Sequence, residues 1–387
     1  MENSENTPFD YSPVALRLVD ALLEQGTPAH IANAFARVPR HRFLPRTFRG
    51  EDRTRYDRDT DPAAWLAAAY TDRALTTQTD DGGTGGMGVP TSSSSAPSVM
   101  ARMLAAADLH PGHTVLEVGT GTGYNAAVLC ELVHRAGVTS IDIDQGLVET
   151  ATANLHAAGY RPTLLHGDGE NPPLPPGTLD RLIATCTVSA LPWTWLDLVR
   201  PGGRIITPWA PGPGLPGGML AVLDIDLDDG GRASGRFEGG LSFMWARGQR
   251  TPARPAPSPD ALAEHTLQVA DDPRADWLDG ERALLLSLLV PDWGYGMRME
   301  TGAVEPHVWI GSTSCPSWLR LHADGRVESA GPRRLWAEFT DALVWWKAQG
   351  EPDLSDFGLT VDRGRALQRV WLGNPHTPVW TTHRTPA

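Results

Sequence analysis

The stretch of sequence that decides the fold is VLEVGTGTGYN, residues 115–125. It begins with a short apolar run that is typical of a buried strand and carries one acidic residue, Glu117. Gly119, Gly121 and Gly123 follow at alternate positions, and the residues after them have the apolar spacing of a helix. Glycines in such a turn let the backbone approach a ligand without obstruction by Cβ, and the open amides at the start of the helix can receive a carboxylate or phosphate. The stretch therefore predicts a strand, a ligand-binding turn and a helix.

Short apolar segments alternate with amphipathic segments on the C-terminal side of this turn. VTSIDID (138–144) and TLLHG (163–167) are typical of strands, and GLVETATANLHAAG (146–159) between them has helical spacing. Strands that alternate with helices at this pitch imply a parallel sheet covered on both faces. Four later segments are predicted as further strands, the last two as an antiparallel pair that completes the sheet: LDRLIATC (179–186), GGRIITPW (202–209), MLAVLDID (219–226) and GRFEGGLSFMWA (235–246).

Two more acidic residues stand at the ends of the predicted strands. Asp142 comes 23 residues after Gly119, where a carboxylate can accept hydrogen bonds from two ribose hydroxyls. Asp168, in HGDGE, follows the third strand and is expected within reach of an adenine amino group. A dinucleotide-binding fold remains an alternative, although its GxGxxG pattern requires a glycine at the place of Tyr124.

The acidic strand ends and the GxGxG turn together resemble the class I S-adenosyl-L-methionine methyltransferases. The resemblance implies an α/β, Rossmann-like fold with a mostly parallel seven-stranded sheet, and S-adenosyl-L-methionine as the cofactor. It also implies that one set of residues binds this cofactor: Glu117, Gly119, Thr120, Gly121, Gly123, Asp142, Asp168 and Gly169.

Six segments extend the resemblance to one family within this class. In order they are FARVPRHRFLP (35–45), AAYTDRAL (68–75), SAPSVMARML (95–104), VLEVGTGTGYNAAVL (115–129), GDG (167–169) and LVRPGGRIITP (198–208). This order is similar to that in the protein-L-isoaspartate O-methyltransferases, and it covers roughly residues 15–248. FGLTV (357–361) and RVWLGNP (369–375) resemble the C-terminal part of longer family members, which are associated with gene clusters for modified ribosomal peptides such as lanthipeptides and graspetides.

The resemblance to these longer members implies carboxyl methylation of an ordinary aspartate in a macrocyclic ribosomal peptide, which leads to an aspartimide or an isoaspartate. An aspartate side chain has a reference pKa of about 4 and is ionised near neutral pH, so the reaction requires no general base. A general repair enzyme that acts on isoaspartyl protein is one alternative. A non-catalytic scaffold that uses this fold to bind a peptide or a biosynthetic partner is another.

The run TSSSSAPSVM, residues 91–100, resembles a loop that leads into the methyl-transfer site. The family keeps a serine before Ala-Pro, and Ser95 matches it, which implies that its hydroxyl positions the attacking carboxylate or the methionine end of the cofactor. Capping of the following helix by Ser95 or Ser98 is the alternative. Ser92 to Ser94 stand where the repair enzymes typically carry Gln-Thr-Ile, so they indicate a changed pocket.

The arginine-rich segment RVPRHRFLPRTFRG, residues 37–50, has two interpretations. Its guanidinium groups could pair with an acidic substrate peptide, because arginine forks suit carboxylates. A solvated helix face is the alternative. The arginines concerned are Arg37, Arg40, Arg42, Arg46 and Arg49. His41 in this segment and the more distant Cys186 are expected to be structural.

Composition and turn signals divide the chain into four segments. Residues 1–97 are expected to hold a cap of N-terminal helices and a substrate loop, with 50–90 an irregular loop or lid because of its many glycines. Residues 98–249 are predicted to form the methyltransferase core, and the proline-rich residues 250–260 a linker. Residues 261–387, with nine of the fourteen tryptophans, are predicted to form an extra α+β domain.

The overall composition argues against several classes of partner. The formal net charge of −13 does not suit a nucleic-acid-binding protein, which needs a basic footprint. No apolar run has the length of a bilayer span and the first residues do not form a targeting signal, so no membrane association is expected and the cytoplasm is the expected location. Three widely separated cysteines predict neither disulfides nor a metal site.

Overall fold

The computed structural model describes residues 12–133, 137–212, 217–228, 231–250, 261–270, 272, 274, 280–298 and 306–382. The chain divides into two compact units, Met1–Ile183 and Ala184–Ala387. The glycine turn and all the residues predicted to bind the cofactor lie in the first unit.

The described residues of the first unit form six helices: α1 (Ser12–Glu24), α2 (Ala29–Arg37), α3 (Pro62–Ala69), α4 (Pro97–Ala106), α5 (Tyr124–Val133) and α6 (Gln145–Ala158). Carboxylates cap two of them, because Asp61 accepts a hydrogen bond from Ala64 N–H in α3 and Asp144 accepts one from Leu147 N–H in α6. α1 and α2 are helices of the kind expected near the N-terminus.

A four-stranded antiparallel sheet also lies in the first unit. Its strands are β1 (Thr47–Arg49), β2 (Arg55–Asp57), β3 (Leu75–Thr79) and β4 (Pro90–Ser94), in the order β2-β1-β3-β4. The sheet packs with α1 and α3 around a core that includes Leu18, Phe48, Trp65 and Leu75.

The prediction of an irregular loop or lid over residues 50–90 is therefore wrong for about half of its length, which β2, α3, β3 and a short 3-10 helix at Asp80–Gly82 occupy. The glycine-rich residues 83–89, just before β4, have no regular secondary structure apart from bends, and shorter turns join the other elements. The physical reason is that apolar residues such as Trp65, Leu66 and Leu75 are buried in α3 and β3. In β4, which follows this segment, burial alternates with period two but the buried residues are Ser92 and Ser94. The strand therefore lacks the apolar alternation by which a half-buried strand is recognised.

A parallel sheet forms the centre of the first unit. Its strands are β5 (Val115–Val118), β6 (Val138–Asp142), β7 (Thr163–His166) and β8 (Leu179–Ala184). β6 pairs in parallel with β5 on one side and with β7 on the other, and β8 is hydrogen-bonded to the free side of β5. Because β5, β6 and β7 are parallel, their carboxyl ends meet at one edge of the sheet, where ligands bind in open α/β sheets.

The second unit contains two antiparallel sheets and three described helices. The helices are α7 (Trp193–Leu198), α8 (Gly280–Leu289) and α9 (Leu335–Ala348). The strands are β9 (Val199–Trp209), β10 (Gly218–Ile225), β11 (Arg232–Leu241), β12 (His265–Gln268), β13 (Trp293–Arg298), β14 (His307–Ser312), β15 (Trp318–Leu321), β16 (Arg326–Ala330), β17 (Phe357–Asp362), β18 (Leu367–Leu372) and β19 (Pro378–Thr382). The predicted antiparallel pair is confirmed as β10 and β11.

The C-terminal strands of this unit join the sheet that β9, β10 and β11 begin. β17 pairs with β11 in antiparallel register from Arg232↔Asp362 to Arg236↔Gly358, and β18 and β19 follow at its edge. β12 to β16 form a separate sheet in the order β12-β16-β15-β14-β13. This grouping differs from the predicted segmentation, whose boundaries at 97, 249 and 260 stay predictions; residues 251–260 of the predicted linker lie outside the described ranges.

Among the residues with described positions, no helix combines the length and the apolar character that crossing a bilayer requires. Cys130, Cys186 and Cys315 all lie within the described ranges and form no disulfide.

Candidate active site

The glycine turn is fixed by one backbone hydrogen bond to the neighbouring strand and by another within the turn. Gly119 N–H donates to the carbonyl of Ile141 at 2.8 Å, and Gly123 N–H donates to the carbonyl of Thr120 at 3.0 Å. Gly119, Gly121 and Gly123 have φ angles of 99°, 53° and 90°. Residues with a Cβ adopt such left-handed angles at a cost, so the sequence uses glycine at each position.

Gly121 and Gly123 also differ in what surrounds them. A Cβ on Gly123 would lie 3.1 Å from the side chain of Leu155, so this glycine allows close packing of the turn on α6. A Cβ on Gly121 would meet Ser92 Oγ at 3.5 Å as its nearest neighbour, which is ordinary contact. Gly121 therefore leaves space above the turn, on the side where β4 approaches.

Asp142 lies at the carboxyl end of β6 and is tied to the glycine turn. Its Oδ2 accepts a hydrogen bond of 2.9 Å from Gly121 N–H, and its Oδ1 accepts one of 3.0 Å from Asp144 N–H. The carboxylate is 9% exposed. The pair of acceptor oxygens at this strand end matches the predicted role toward two ribose hydroxyls, which remains a proposal.

Glu117 is fully buried beneath the turn. It accepts hydrogen bonds from Ser140 Oγ at 2.6 Å and from Asn125 Nδ2 at 2.7 Å, and Thr120 Oγ1 lies 2.7 Å from the same serine hydroxyl. Burial raises the pKa of Glu117 to about 7, against the opposing effect of these hydrogen bonds and with a smaller contribution from the nearby charge of Asp142.

One buried acceptor beside Glu117 points to a ligand. The Oδ1 atom of Asn125 is buried and has no hydrogen-bond partner among the described residues. Buried polar atoms are almost always satisfied, so an unsatisfied one in a candidate site is a place for a donor from outside the chain. A carboxyl and an amide oxygen are suitable neighbours for an ammonium group, such as the one on the methionine part of S-adenosyl-L-methionine. The residues present therefore fit this cofactor.

Asp168 and Gly169 follow β7 at the same edge of the sheet. Asp168 is exposed, and its Oδ1 accepts a hydrogen bond of 2.9 Å from Glu170 N–H. A Cβ on Gly169 would lie 2.4 Å from Val118 Cγ1, at the end of β5. Glycine is therefore required for the loop after β7 to reach the glycine turn, and the sequence-predicted residues from three strands come together.

The serine run forms β4 and does not form the predicted loop. β4 pairs with β3 in a register that sets Ser94 opposite Leu75, and Ser92 Oγ accepts a hydrogen bond of 3.2 Å from Thr77 Oγ1. Ser95 follows directly after the strand and is partly buried. β4 therefore passes close to the glycine turn at Ser92 and leads on to Ser95.

The alternative in which a serine side chain caps α4 is wrong. α4 has Ala96 at its N-cap and no side-chain hydrogen bond there. Ser98 N–H donates instead to Oδ1 of Asp72 at 2.9 Å, so a carboxylate from another segment supports the start of this helix.

Sequence reasoning missed the role of Arg40, which was expected to be exposed with the other arginines. Its side chain is fully buried and donates hydrogen bonds to the carbonyls of Ser94 and Ser95, each at 3.0 Å. Arg37 pairs with Glu131, and Arg46 with Asp59, at the surface. No local signal separates Arg40 from its neighbours, because its acceptors come from residues 69–95.

A parallel sheet with a GxGxG turn and acidic residues at the next strand ends defines the class I S-adenosyl-L-methionine-dependent methyltransferases. The sequence profile of one family in this class, protein-L-isoaspartate(D-aspartate) O-methyltransferase, matches residues 15–213, just over half of the 387 residues. The chain belongs to this family. It is therefore a methyltransferase whose cofactor is S-adenosyl-L-methionine, and the dinucleotide-binding and scaffold alternatives are not supported.

Individual relatives agree with this assignment. A protein-L-isoaspartate O-methyltransferase of Hyperthermus butylicus is 34% identical over 204 residues, which are 50% of this chain and 73% of that protein. One of Methanopyrus kandleri is also 34% identical, over 59% of this chain and 88% of that protein. A solved structure of a protein-L-isoaspartate O-methyltransferase aligns with a TM-score of 0.53 at 22% identity, over 93% of this chain and 100% of its own, and shows the same fold.

Within the described ranges, no three His, Cys, Asp or Glu side chains are grouped as ligands for a metal ion. His41 was expected to be structural. Its Nδ1 atom lies 2.7 Å from the hydroxyl oxygen of Tyr70. Burial, with the nearby charges of Arg42 and Arg58, lowers the pKa of His41 to about 4, so its ring is neutral at neutral pH.

Proposed function

We propose that the protein transfers the methyl group of S-adenosyl-L-methionine to the carboxylate of an isoaspartyl residue in a peptide or protein chain. The observation that carries this proposal is the course of β4, which passes the glycine turn at Ser92 and ends one residue before Ser95. A polar strand between the cofactor turn and the candidate positioning serine suits an acceptor carboxylate next to the cofactor.

The proposed roles of the cofactor-binding residues follow from their chemistry. Asp142 accepts hydrogen bonds from ribose hydroxyls, and Asp168 accepts one from the adenine amino group. Glu117 and the unsatisfied oxygen of Asn125 face the ammonium end. The glycines and Thr120 form the turn, and Gly169 allows the loop after β7 to close on β5.

The proposed catalytic contribution of the chain is alignment. When bound, S-adenosyl-L-methionine supplies an electrophilic methyl group on a sulfonium. An acceptor carboxylate with a pKa near 4 is already ionised, so the chain does not need to remove a proton. In the proposal, the Ser95 hydroxyl donates a hydrogen bond to that carboxylate and holds one oxygen in line with the methyl group. Positioning of this kind contributes several kcal/mol to catalysis.

A second candidate is methylation of an ordinary aspartate in a modified ribosomal peptide, with an aspartimide or isoaspartate as the product. Two observations favour it: residues 214–387 lie beyond the matched family profile, and β4 carries serines in place of the usual Gln-Thr-Ile. The relatives described above are isoaspartyl methyltransferases, so they support the first candidate more directly.

A matched set of four peptides separates the two candidates. The peptides share one sequence and differ in the residue tested, isoaspartate or L-aspartate, and in topology, linear or cyclised. Each is incubated with the protein and S-adenosyl-L-methionine carrying a labelled methyl group, and both base-labile methyl incorporation and released methanol are measured. Methylation of the isoaspartyl peptides alone is the expected result.

Methylation of the cyclised L-aspartyl peptide alone would contradict the first candidate and support the second. Because the natural peptide is not defined by the sequence, a precursor peptide encoded beside the gene serves as a fifth substrate. If none of the five is methylated although calorimetry detects cofactor binding, both candidates are wrong about the acceptor.

A further inference from the structure

The side chain of Arg40 is a fully buried cation that makes six hydrogen bonds. It stands at the start of a short 3-10 helix, Arg40–Phe43, and none of its surface is exposed. Its six acceptors are the carbonyls of Ala69, Thr71, Arg73, Ser94 and Ser95, and the hydroxyl of Ser94. A buried charge without partners is very costly, so these bonds make its position stable.

The acceptors of Arg40 belong to two separate segments. Three carbonyls lie in residues 69–73, at the end of α3 and in the turn after it, at distances of 2.8 to 3.2 Å. The other three atoms belong to Ser94 and Ser95, where β4 ends, at 3.0 to 3.1 Å. The guanidinium group therefore joins the turn after α3 to the end of β4.

The bond to the Ser95 carbonyl limits the movement of that residue. Its neighbour Ser94 is held twice, through its carbonyl and its hydroxyl. With two consecutive residues fixed to one planar group, the backbone that carries the Ser95 hydroxyl has little freedom. In its middle, β4 passes close to the glycine turn, since Ser92 Oγ is the nearest atom, at 3.5 Å, to a Cβ placed on Gly121.

We propose that Arg40 is a positioning residue for methyl transfer: it holds the backbone of Ser94 and Ser95 so that the Ser95 hydroxyl keeps its place beside the acceptor carboxylate. This inference rests on the proposed function and on the role proposed there for Ser95. The planar fork of arginine is essential, because it directs five N–H donors at acceptors on two sides. Lysine keeps the positive charge but has only three donors on one nitrogen.

The matched control is Arg181, another arginine of the first unit that donates to several carbonyls. Its guanidinium donates to the carbonyls of Ala107, Asp108 and Asp180, and its side chain is 11% exposed. Arg181 N–H donates to the carbonyl of Thr114, the residue before β5. Arg181 therefore lies at the amino end of β5, opposite the glycine turn.

The test compares Arg40→Lys, Arg181→Lys and the wild type, with the isoaspartyl peptide as substrate and calorimetry for cofactor affinity. We expect Arg40→Lys to lower kcat by about tenfold to a hundredfold, the effect of a misplacement of about 1 Å, and to change the Kd for S-adenosyl-L-methionine by less than about threefold. Arg181→Lys is expected to lower Tm without a comparable change in kcat. Equal losses of kcat in both variants, or parallel losses of kcat and cofactor affinity in Arg40→Lys, would show that Arg40 is merely structural.

A double-mutant cycle with Ser95→Ala tests the route of the effect. If Arg40 acts through the Ser95 hydroxyl, Arg40→Lys costs less than about threefold in kcat once that hydroxyl is absent, because the two substitutions share one interaction. Full additivity would overturn the proposal.

Ser94→Ala is the second variant, because Arg40→Lys could fail to fold. It removes the bond from Arg40 Nε to the Ser94 hydroxyl and leaves the guanidinium in place. We expect a fall in kcat of about twofold to fivefold with unchanged cofactor affinity, in line with the loss of one hydrogen bond. An unchanged kcat would overturn the role of Arg40. Wild-type protein without activity on any carboxyl substrate would instead contradict the proposed function, and with it this inference.

Discussion

The backbone N–H of Gly121 donates a hydrogen bond of 2.9 Å to Oδ2 of Asp142, 21 residues further along the chain. This bond joins the turn after β5 to the end of β6, the two strand ends between which a nucleoside ligand binds in open α/β sheets. The ligand-binding turn and the carboxylate proposed for the ribose are therefore one structural element.

Replacement of Asp142 should affect cofactor binding more than stability. We expect Asp142→Ala to raise the Kd for S-adenosyl-L-methionine by about tenfold to a hundredfold, because hydrogen bonds to a charged group contribute about 1.5 to 3 kcal/mol. Isothermal calorimetry measures the change. Asp224→Ala is the control, since Asp224 is an exposed carboxylate of the second unit that pairs with Arg204. Equal affinities in Asp142→Ala and the wild type would exclude Asp142 from the cofactor site.

The close approach of Gly169 to Val118 predicts that Gly169→Ala destabilises the fold and that a smaller residue at position 118 relieves the clash. A Cβ on Gly169 would lie 2.4 Å from Val118 Cγ1, whereas its next neighbours are at 3.6 Å or more. Gly169→Ala should therefore lower the free energy of unfolding by about 1 to 3 kcal/mol, as overpacking does in other cores.

Val118→Ala makes room for the added methyl group. The double variant Gly169→Ala/Val118→Ala should be less destabilised than the sum of the two single variants, because the two side chains compete for one space. Urea denaturation of the four proteins measures this coupling. Additive free energies would mean that the loop after β7 moves away from β5 at low cost.

The parts of the candidate site that could be predicted from the sequence are those marked by a short, continuous sequence pattern. The turn at Gly119 to Gly123 and the acidic strand ends occupy short segments with a fixed pattern, and they were predicted. β4 was not, because its buried positions are Ser92 and Ser94, and hydroxyl side chains produce no apolar alternation.

Arg40 and the C-terminal strands show a second limit of prediction from the sequence, which is that their partners are distant along the chain. Arg40 stands in a segment rich in arginine, and its burial depends on carbonyls that lie 29 to 55 residues away in sequence. β17 was recognisable as an apolar segment, but its partner β11 precedes it by more than 100 residues. Short sequence patterns indicate strands, whereas such pairings arise from the tertiary fold.

The buried carboxyl group of Glu117 predicts a dependence of stability on pH. Its pKa rises from 4.5 to about 7 in the folded state, so the folded protein binds this proton more tightly than the unfolded chain does. The stabilisation is complete below about pH 4.5 and is lost as the pH rises through 7. The shift corresponds to about 3 kcal/mol at most.

Glu117→Gln removes this titration and keeps the shape of the side chain. Across pH 5 to 8, the free energy of unfolding of the wild type should fall relative to that of the variant, because the variant has no proton to lose at this position. Urea denaturation at several pH values measures both curves, and the other titrating groups, His41 among them, affect both equally. Parallel curves would show that Glu117 is ionised in the folded protein throughout this range.

Substitutions in β17 test whether the C-terminal strands are separable from the sheet that begins with β9. Leu359 is fully buried and faces Gly235 of β11 in the antiparallel pair, whereas Val344 on α9 is 67% exposed. We expect Leu359→Asp to unfold the sheet of β9 to β11 together with β17, because an unpaired charge in a core costs several kcal/mol. Val344→Asp should have little effect. Hydrogen exchange in β10 and β11 provides the measurement: loss of protection only in β17 to β19 of Leu359→Asp would mean that these strands fold as a domain of their own, as the sequence predicted for residues 261–387.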